Sequence, residues 1–214
     1  MRGACAGCLL LASALTVLVV LRLPALLRFD AAIAVALHEH AVTHPAVTAL
    51  IRVLSDWVWD PWTMRALLAA VCGWLWWRGE RALAVRFLVT LAVASVVQQG
   101  LKAAVGRARP VWPDPVDSAD YAAYPSGHAL TATVVCGLLL WLAGGRPWAW
   151  AAAAVSVLGV GFTRVYLGVH WPSDVLGGWL IGAALVLAAL SGAVRGAPGR
   201  PLLRRPASGD PDSG

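Results

Sequence analysis

Apolar residues run in long unbroken blocks along the chain, with polar positions concentrated between them. About 17 to 25 consecutive apolar residues suffice for a helix to cross a bilayer, and blocks of that size fall at 6–27, 61–77, 83–104, 127–143, 147–166 and 173–194. The pattern predicts an all-α, polytopic membrane protein, a bundle of six transmembrane helices. Residues 29–60 interleave apolar positions with Asp30, His38, Glu39, His40, His44, Arg52 and Asp56, which predicts short interfacial helices between the first two spans. From Arg195 the chain reads RGAPGRPLLRRPASGDPDSG, a composition that predicts a disordered tail. The organisation is thus a first transmembrane helix over 1–28, a core over 29–194 with five further spans, and a tail over 195–214. Arg2 ahead of an apolar run also suits a secretory signal, but the A-x-A-like site Ala12-Ser13-Ala14 lies inside the run, so the segment is expected to be retained.

Composition agrees with the pattern. With 59% hydrophobic and 13% charged residues, a chain of 214 residues carries more apolar surface than a soluble domain of that length covers. The net charge of +6 invites a nucleic-acid reading, yet the cations are scattered among apolar runs with no basic stripe and no interleaved aromatics, so no nucleic-acid partner is expected. Cys5, Cys8, Cys72 and Cys136 lie in or beside apolar segments and read as buried thiols; the Cys5-x-x-Cys8 pair has neither a second pair nor a histidine nearby to make a metal or redox site. In HEHAVTH, His38 and His40 are two apart and point to different sides of a helix, so solvated interfacial histidines are expected rather than metal ligands.

Charge in the connections sets an orientation. Arg78, Arg81, Arg146 and the arginines after the last span (Arg195, Arg200, Arg204, Arg205) all fall on one side, the cytoplasmic side by the positive-inside rule. Both termini are then cytoplasmic in a multi-pass protein of the cell membrane. The opposite loops hold Asp30, Asp56, Asp114, Asp117, Asp120 and Asp174, and many of the twelve tryptophans lie at span ends as an aromatic belt.

Three polar clusters do not fit a purely structural role. In KAAVGRARP, Lys102 and Arg109 are seven apart, so a helix continued to Pro110 would carry both on one face. In YPSGH, Pro125 and Ser126 mark a helix start, Gly127 admits close approach to the backbone, and His128 lies beside the free N–H groups that favour an anion. In TRVYLGVHWPSD, Pro172 fits the first turn of the last span, which lets Asp174 reach back toward His170 and fix its tautomer. In an up-and-down chain of six spans, the ends carrying Lys102 and Arg109, Ser126 and His128, Arg164, and His170 and Asp174 share one membrane face. Three fixed cations around a helix N-terminus describe a phosphate clamp, and two histidines divide a double displacement between attack on phosphorus and protonation of the leaving alkoxide. No cluster of acids is present to hold a metal.

These residues, Lys-x6-Arg-Pro, PSGH and Arg-x5-His-x3-Asp, resemble the tripartite motif of the type 2 phosphatidic acid phosphatase family, which also includes bacterial acid phosphatases and vanadium haloperoxidases. The resemblance covers roughly residues 30–190. It implies that His170 is the nucleophile, Asp174 its orienting carboxylate and His128 the general acid, with Lys102, Arg109, Ser126, Gly127 and Arg164 binding the phosphoryl oxygens. It further implies a metal-independent lipid phosphatase without cofactors that forms a phosphohistidine. Thr163 stands where the family usually has Ser before the arginine of the third motif. A polyprenyl diphosphate ranks first as substrate for an extracytoplasmic site, followed by phosphatidylglycerophosphate and phosphatidate. The alternatives are a lipid phosphotransferase using the same residues, a vanadate-dependent haloperoxidase and a non-enzymatic membrane protein; the sequence assigns no oligomeric state.

Overall fold

The computed structural model describes residues 1–193, and among these the regular structure is helical without strands. The expected tail over 195–214 lies outside the described residues. Eight helices follow in order: α1 Arg2–Val20, α2 Pro24–Thr43, α3 Pro45–Val53, α4 Pro61–Trp77, α5 Arg81–Val105, α6 Gly127–Leu142, α7 Pro147–Tyr166 and α8 Pro172–Ala193. A π-helical turn, Leu54–Val58, joins α3 to the loop before α4. Proline opens α2, α3, α4, α7 and α8, where its missing N–H costs nothing. Asp60 caps α4 by accepting from the Trp62 and Thr63 amides at 2.7 and 3.3 Å.

Two expectations change. The first apolar run does not make one helix: α1 stops at Val20, Arg22 adopts a left-handed φ of 50°, and the Leu23 amide closes back on Leu18 O at 3.1 Å. Pro24 then starts α2, a 20-residue helix in place of the short interfacial pieces expected over that stretch. Length and composition suffice to cross a membrane in α1, α5, α7 and α8, while α6 is apolar but only 16 residues long. The 17-residue α4, expected as a span, falls outside that set, its ends rich in tryptophan and its first turns carrying Arg65.

α6 is the axis of the bundle. Ala129, Leu130, Ala132, Val134, Val135 and Leu138 are buried around it by α4, α5, α7 and α8. Where lipid rather than water is the alternative, burial of apolar side chains gives little drive, and close backbone approach supplies the packing. Small residues permit that approach between α6 and α8: a Cβ on Gly178 would lie 2.7 Å from Ser126 O and 3.0 Å from the Leu130 amide, and one on Gly182 would lie 3.1 Å from Leu130 O. These obstacles are backbone atoms that cannot swing aside. Gly178→Ala is therefore expected to destabilise the detergent-solubilised protein by roughly 1–3 kcal/mol, read as a lowered midpoint of thermal unfolding. The outward face is apolar as well, with Leu10, Val96 and Trp77 largely exposed. Exposed apolar surface on this scale suits lipid contact.

Candidate active site

The site lies at the end of the bundle where α5 and α7 finish and α6 and α8 begin. α5 stops at Val105 because Gly106 takes a left-handed φ of 57° and returns its amide to Lys102 O at 3.0 Å. The helix therefore does not run on to Pro110, and Lys102 and Arg109 do not share a helical face. Arg109 arrives instead on the loop and spreads its guanidinium over three backbone carbonyls: Tyr121 at 2.9 Å, Asp120 at 3.0 Å and Val169 at 2.5 Å. Lys102 donates from α5 to Ala122 O. α7 ends in a return of the Gly168 amide to Val165 O and of the Val169 amide to Arg164 O, which leaves Arg164 in the last turn facing the site.

The two helix N-termini are tied together. The Ser126 amide donates to Asp174 O at 2.9 Å, and the Ser126 hydroxyl caps α6 by accepting from the Ala129 amide at 3.5 Å. Ser126 is fully buried with its N–H committed. Among the described residues, the Gly127 and His128 amides have no hydrogen-bond partner at the positive end of α6. The space over Gly127, expected to admit a ligand, is filled by Gln98 of α5, whose Nε2 would lie 2.5 Å from a Cβ there.

His170 is buried between the two parts of the site. Its Nδ1 faces Asp174 Oδ2 at 3.4 Å, and its Nε2 lies 3.2 Å from Arg109 Nη1. Asp174 is held in turn by the Trp171 amide on Oδ2 at 2.9 Å. Burial first, and then the charges of Arg109, Arg164 and Lys102, press the His170 imidazole well below its ordinary pKa, so it stands neutral. His128 lies within electrostatic reach of the same cations and of His170. Arg164 is buried and donates to Ser55 Oγ at 2.8 Å, with Asp56 and Asp117 carboxylates at 3.6 and 3.9 Å. Its Nε has no partner among the described residues, which leaves a buried donor aimed at nothing.

The structure thus brings Lys102, Arg109, Ser126, Gly127, His128, Arg164, His170 and Asp174 to one end of the bundle. Thr163 does not turn its hydroxyl to the site; it donates to Val160 O of its own helix at 2.9 Å. The HEHAVTH histidines are not uniformly solvated. His38 is buried and stacked on Trp112 with ring centroids 4.1 Å apart, and His40 meets the Tyr166 hydroxyl at 3.0 Å.

Several participants are absent from the sequence expectation. Arg107, two positions before Arg109, bridges Asp174 Oδ1 at 2.6 Å and Asp30 Oδ2 at 2.7 Å, and Ser173 joins the same group. Asp30 was counted among loop acids but is buried in α2. A second arginine two positions before Arg109 and an acid inside a long apolar run were the available signals. Ser55 and Asp56 arrive through the π-helical turn, which no periodicity announces.

Fold and site together define a helical membrane protein with a cation-lined histidine pocket at one end. The chain belongs to the PAP2 superfamily, whose sequence model matches residues 83–195. It is 30% identical over 137 residues to the undecaprenyl-diphosphatase of Sulfolobus acidocaldarius, a match spanning 60% of each chain. It is 30% identical over 106 residues to phosphatidylglycerophosphatase B of Bacillus subtilis, covering 46% of this chain and 52% of that one. The match to the decaprenylphosphoryl-5-phosphoribose phosphatase of Mycobacterium tuberculosis, 32% identical, extends over 74% of this chain and 87% of the relative. The first two curated relatives are therefore matched over only half to three-fifths of their own length. The fold is similar to the crystal structure of a transmembrane PAP2 type phosphatidylglycerolphosphate phosphatase from Bacillus subtilis, with a TM-score of 0.79 at 22% identity over 92% of this chain and 98% of that one.

Proposed function

We propose that this chain is a metal-independent lipid phosphatase that hydrolyses a lipid phosphate or diphosphate through a phosphohistidine at His170. One observation carries the reading: a buried His170 stands between a carboxylate on Nδ1 and a cation at Nε2, beside donors without an acceptor among the described residues, Arg164 Nε and the Gly127 and His128 amides. A phosphoryl group supplies acceptors for these, and Lys102 and Arg109 add their charge and the N–H groups left over from their carbonyl contacts. With Asp174 accepting from Nδ1–H, the lone pair of Nε2 attacks phosphorus. The bond from phosphorus to the leaving oxygen breaks as His128 gives that oxygen a proton. Water then attacks the phosphohistidine, His128 takes the water proton, and inorganic phosphate departs while His170 returns to its neutral form. Protonating the leaving oxygen requires a protonated His128 when the anion is bound, a form that the charge of the anion favours.

Polyprenyl diphosphate ranks first among substrates. Two of the three relatives above carry a polyprenyl group in their names, and the wide apolar exterior suits a substrate that keeps its chain in the bilayer. A cleft of about 530 Å³ between α4, α6 and α7 runs from Val58 and Trp59, close to the Asp56 that faces Arg164, to Arg146 and Trp148 at the opposite end of the bundle, and offers that chain a place along the helices. The site is assigned to the extracytoplasmic face of the cell membrane with the amino terminus in the cytoplasm, because Arg78, Arg81 and Arg146 lie at the opposite end.

The test is phosphate release by the purified protein from a panel of polyprenyl diphosphate, phosphatidylglycerophosphate and phosphatidate in EDTA. Release is expected from all three and greatest from the first; activity abolished by EDTA and restored by a divalent ion contradicts the metal-free reading. Maleimide labelling of intact cells at a single cysteine replacing Asp114, and not at one replacing Glu80, is the result expected for the assigned orientation. The reverse pattern inverts it.

A further inference from the structure

Arg107 and Asp30 form a buried ionic group that the chemistry above does not use. Their side chains are 10% and 1% exposed, and Asp174 beside them is fully buried. Three charges removed from water to this degree are costly unless every donor and acceptor is satisfied, and such groups are weak contributors to stability. Here the satisfaction is nearly complete. Arg107 Nη1 donates to Asp174 Oδ1 at 2.6 Å and to Ser173 Oγ at 2.7 Å, while Nη2 donates to Asp30 Oδ2 at 2.7 Å. Asp30 Oδ1 accepts from the Ser173 amide at 2.9 Å, and Oδ2 also accepts from the Ser173 hydroxyl at 2.5 Å. The guanidinium carbon lies 5.8 Å from the centre of the Trp171 ring.

We propose that Arg107 and Asp30 are positioning residues that lock the Asp174 carboxylate in the rotation presenting Oδ2 to His170, so that α2 completes the site. The inference rests on the phosphohistidine reading of that site. A carboxylate free to turn about its Cβ–Cγ bond offers either oxygen to Nδ1, and the imidazole follows it. With Oδ1 tied to Arg107 and Oδ2 to the Trp171 amide, one orientation remains. A long arginine does not hold this geometry unaided, since its side chain has rotamer entropy to lose. Asp30 grips the other arm of the fork, and Ser173 fixes Asp30 to the first turn of the helix that carries Asp174. The loop is closed: α2 to Arg107 to α8 and back. Arg107 is not counted as a fourth phosphate ligand, because two carboxylates neutralise its guanidinium, whereas that of Arg109 is held by neutral backbone carbonyls. Asp30 also lies outside residues 83–195, the segment matched to the superfamily, so α2 supplies a residue that this segment lacks.

The experiment compares Arg107→Met, Arg107→Lys and Asp30→Asn in the full chain in detergent, with nitrophenyl phosphate and polyprenyl diphosphate as substrates, vanadate as inhibitor and His170→Ala as control. Loss of an outer partner of this kind lowers activity roughly 10- to 100-fold, and that fall is expected in kcat for Arg107→Met, with KM and the vanadate inhibition constant within about two-fold of the parent. Arg107→Lys keeps the charge but not the fork, so it should recover part of the loss; Asp30→Asn should fall less than Arg107→Met. A raised KM with unchanged kcat would make Arg107 a phosphate ligand and overturn the proposal. Should Arg107→Met fail to fold, the isosteric Asp30→Asn decides, and full kcat there overturns it. Full kcat in these variants with a dead His170→Ala sinks the proposal alone; turnover in His170→Ala sinks the phosphohistidine reading and the proposal with it.

Discussion

His170→Ala is expected to lower phosphate release by at least about 10³-fold while the protein still elutes as a folded species in detergent. Removing the imidazole removes the atom to which the proposal assigns the phosphoryl group, whereas the bundle is held by apolar packing around α6 in which His170 takes no part. Lys102, Arg109 and Arg164 remain, so inorganic phosphate should still compete for the pocket. Residual turnover within ten-fold of the parent would place the nucleophile elsewhere. The neutral state of His170 sharpens this expectation. A histidine that titrated at its ordinary value would be half protonated, and blocked, in mildly acidic solution; burial and the three cations remove that block.

His128→Ala is expected to divide substrates by their leaving groups. For a lipid monoester such as phosphatidate, whose alkoxide departs poorly without a proton, loss of a general acid costs about 10²–10⁴-fold, and the polyprenyl phosphate released from a diphosphate, a weaker base, should lose less. Nitrophenolate leaves unprotonated, and release of nitrophenyl phosphate should change far less. The comparison separates chemistry from binding, since the His128 backbone amide, which the proposed reading gives to the anion, is retained in the variant. Equal losses for both substrates would assign His128 to binding or to structure.

Much of this architecture could be read from the sequence, and the exceptions have identifiable physical causes. The limits of α4 and α7 coincide with the apolar blocks at 61–77 and 147–166, because proline starts both helices and polar or glycine residues follow them. The α1–α2 break was not legible: its signals, Arg22 and Pro24, are embedded in leucine, and an apolar window does not register a left-handed residue. Lys102 and Arg109 come to the same end of the bundle, but not by helical spacing: Gly106 ends α5 and the loop delivers Arg109 by hydrogen bonds to carbonyls.

The order of the motifs brought the site residues to one end through parity alone, a property of short connections between long helices. The remaining partners could not be found that way. Asp30 lies 77 positions from Arg107, and Ser55 lies 109 from Arg164. Such pairings depend on how α2 and the π-helical turn pack against the bundle, and tertiary packing has no local period. Asp174 reaching back to His170 was legible because the two are four positions apart across the start of α8.

The most direct test of the account is to quench the enzyme with labelled substrate during turnover and to map the phosphorylated residue. The account predicts a label that is stable in base and labile in acid, located on the peptide containing His170 and missing from His170→Ala. A label on His128, or turnover without any phosphoenzyme, would contradict it.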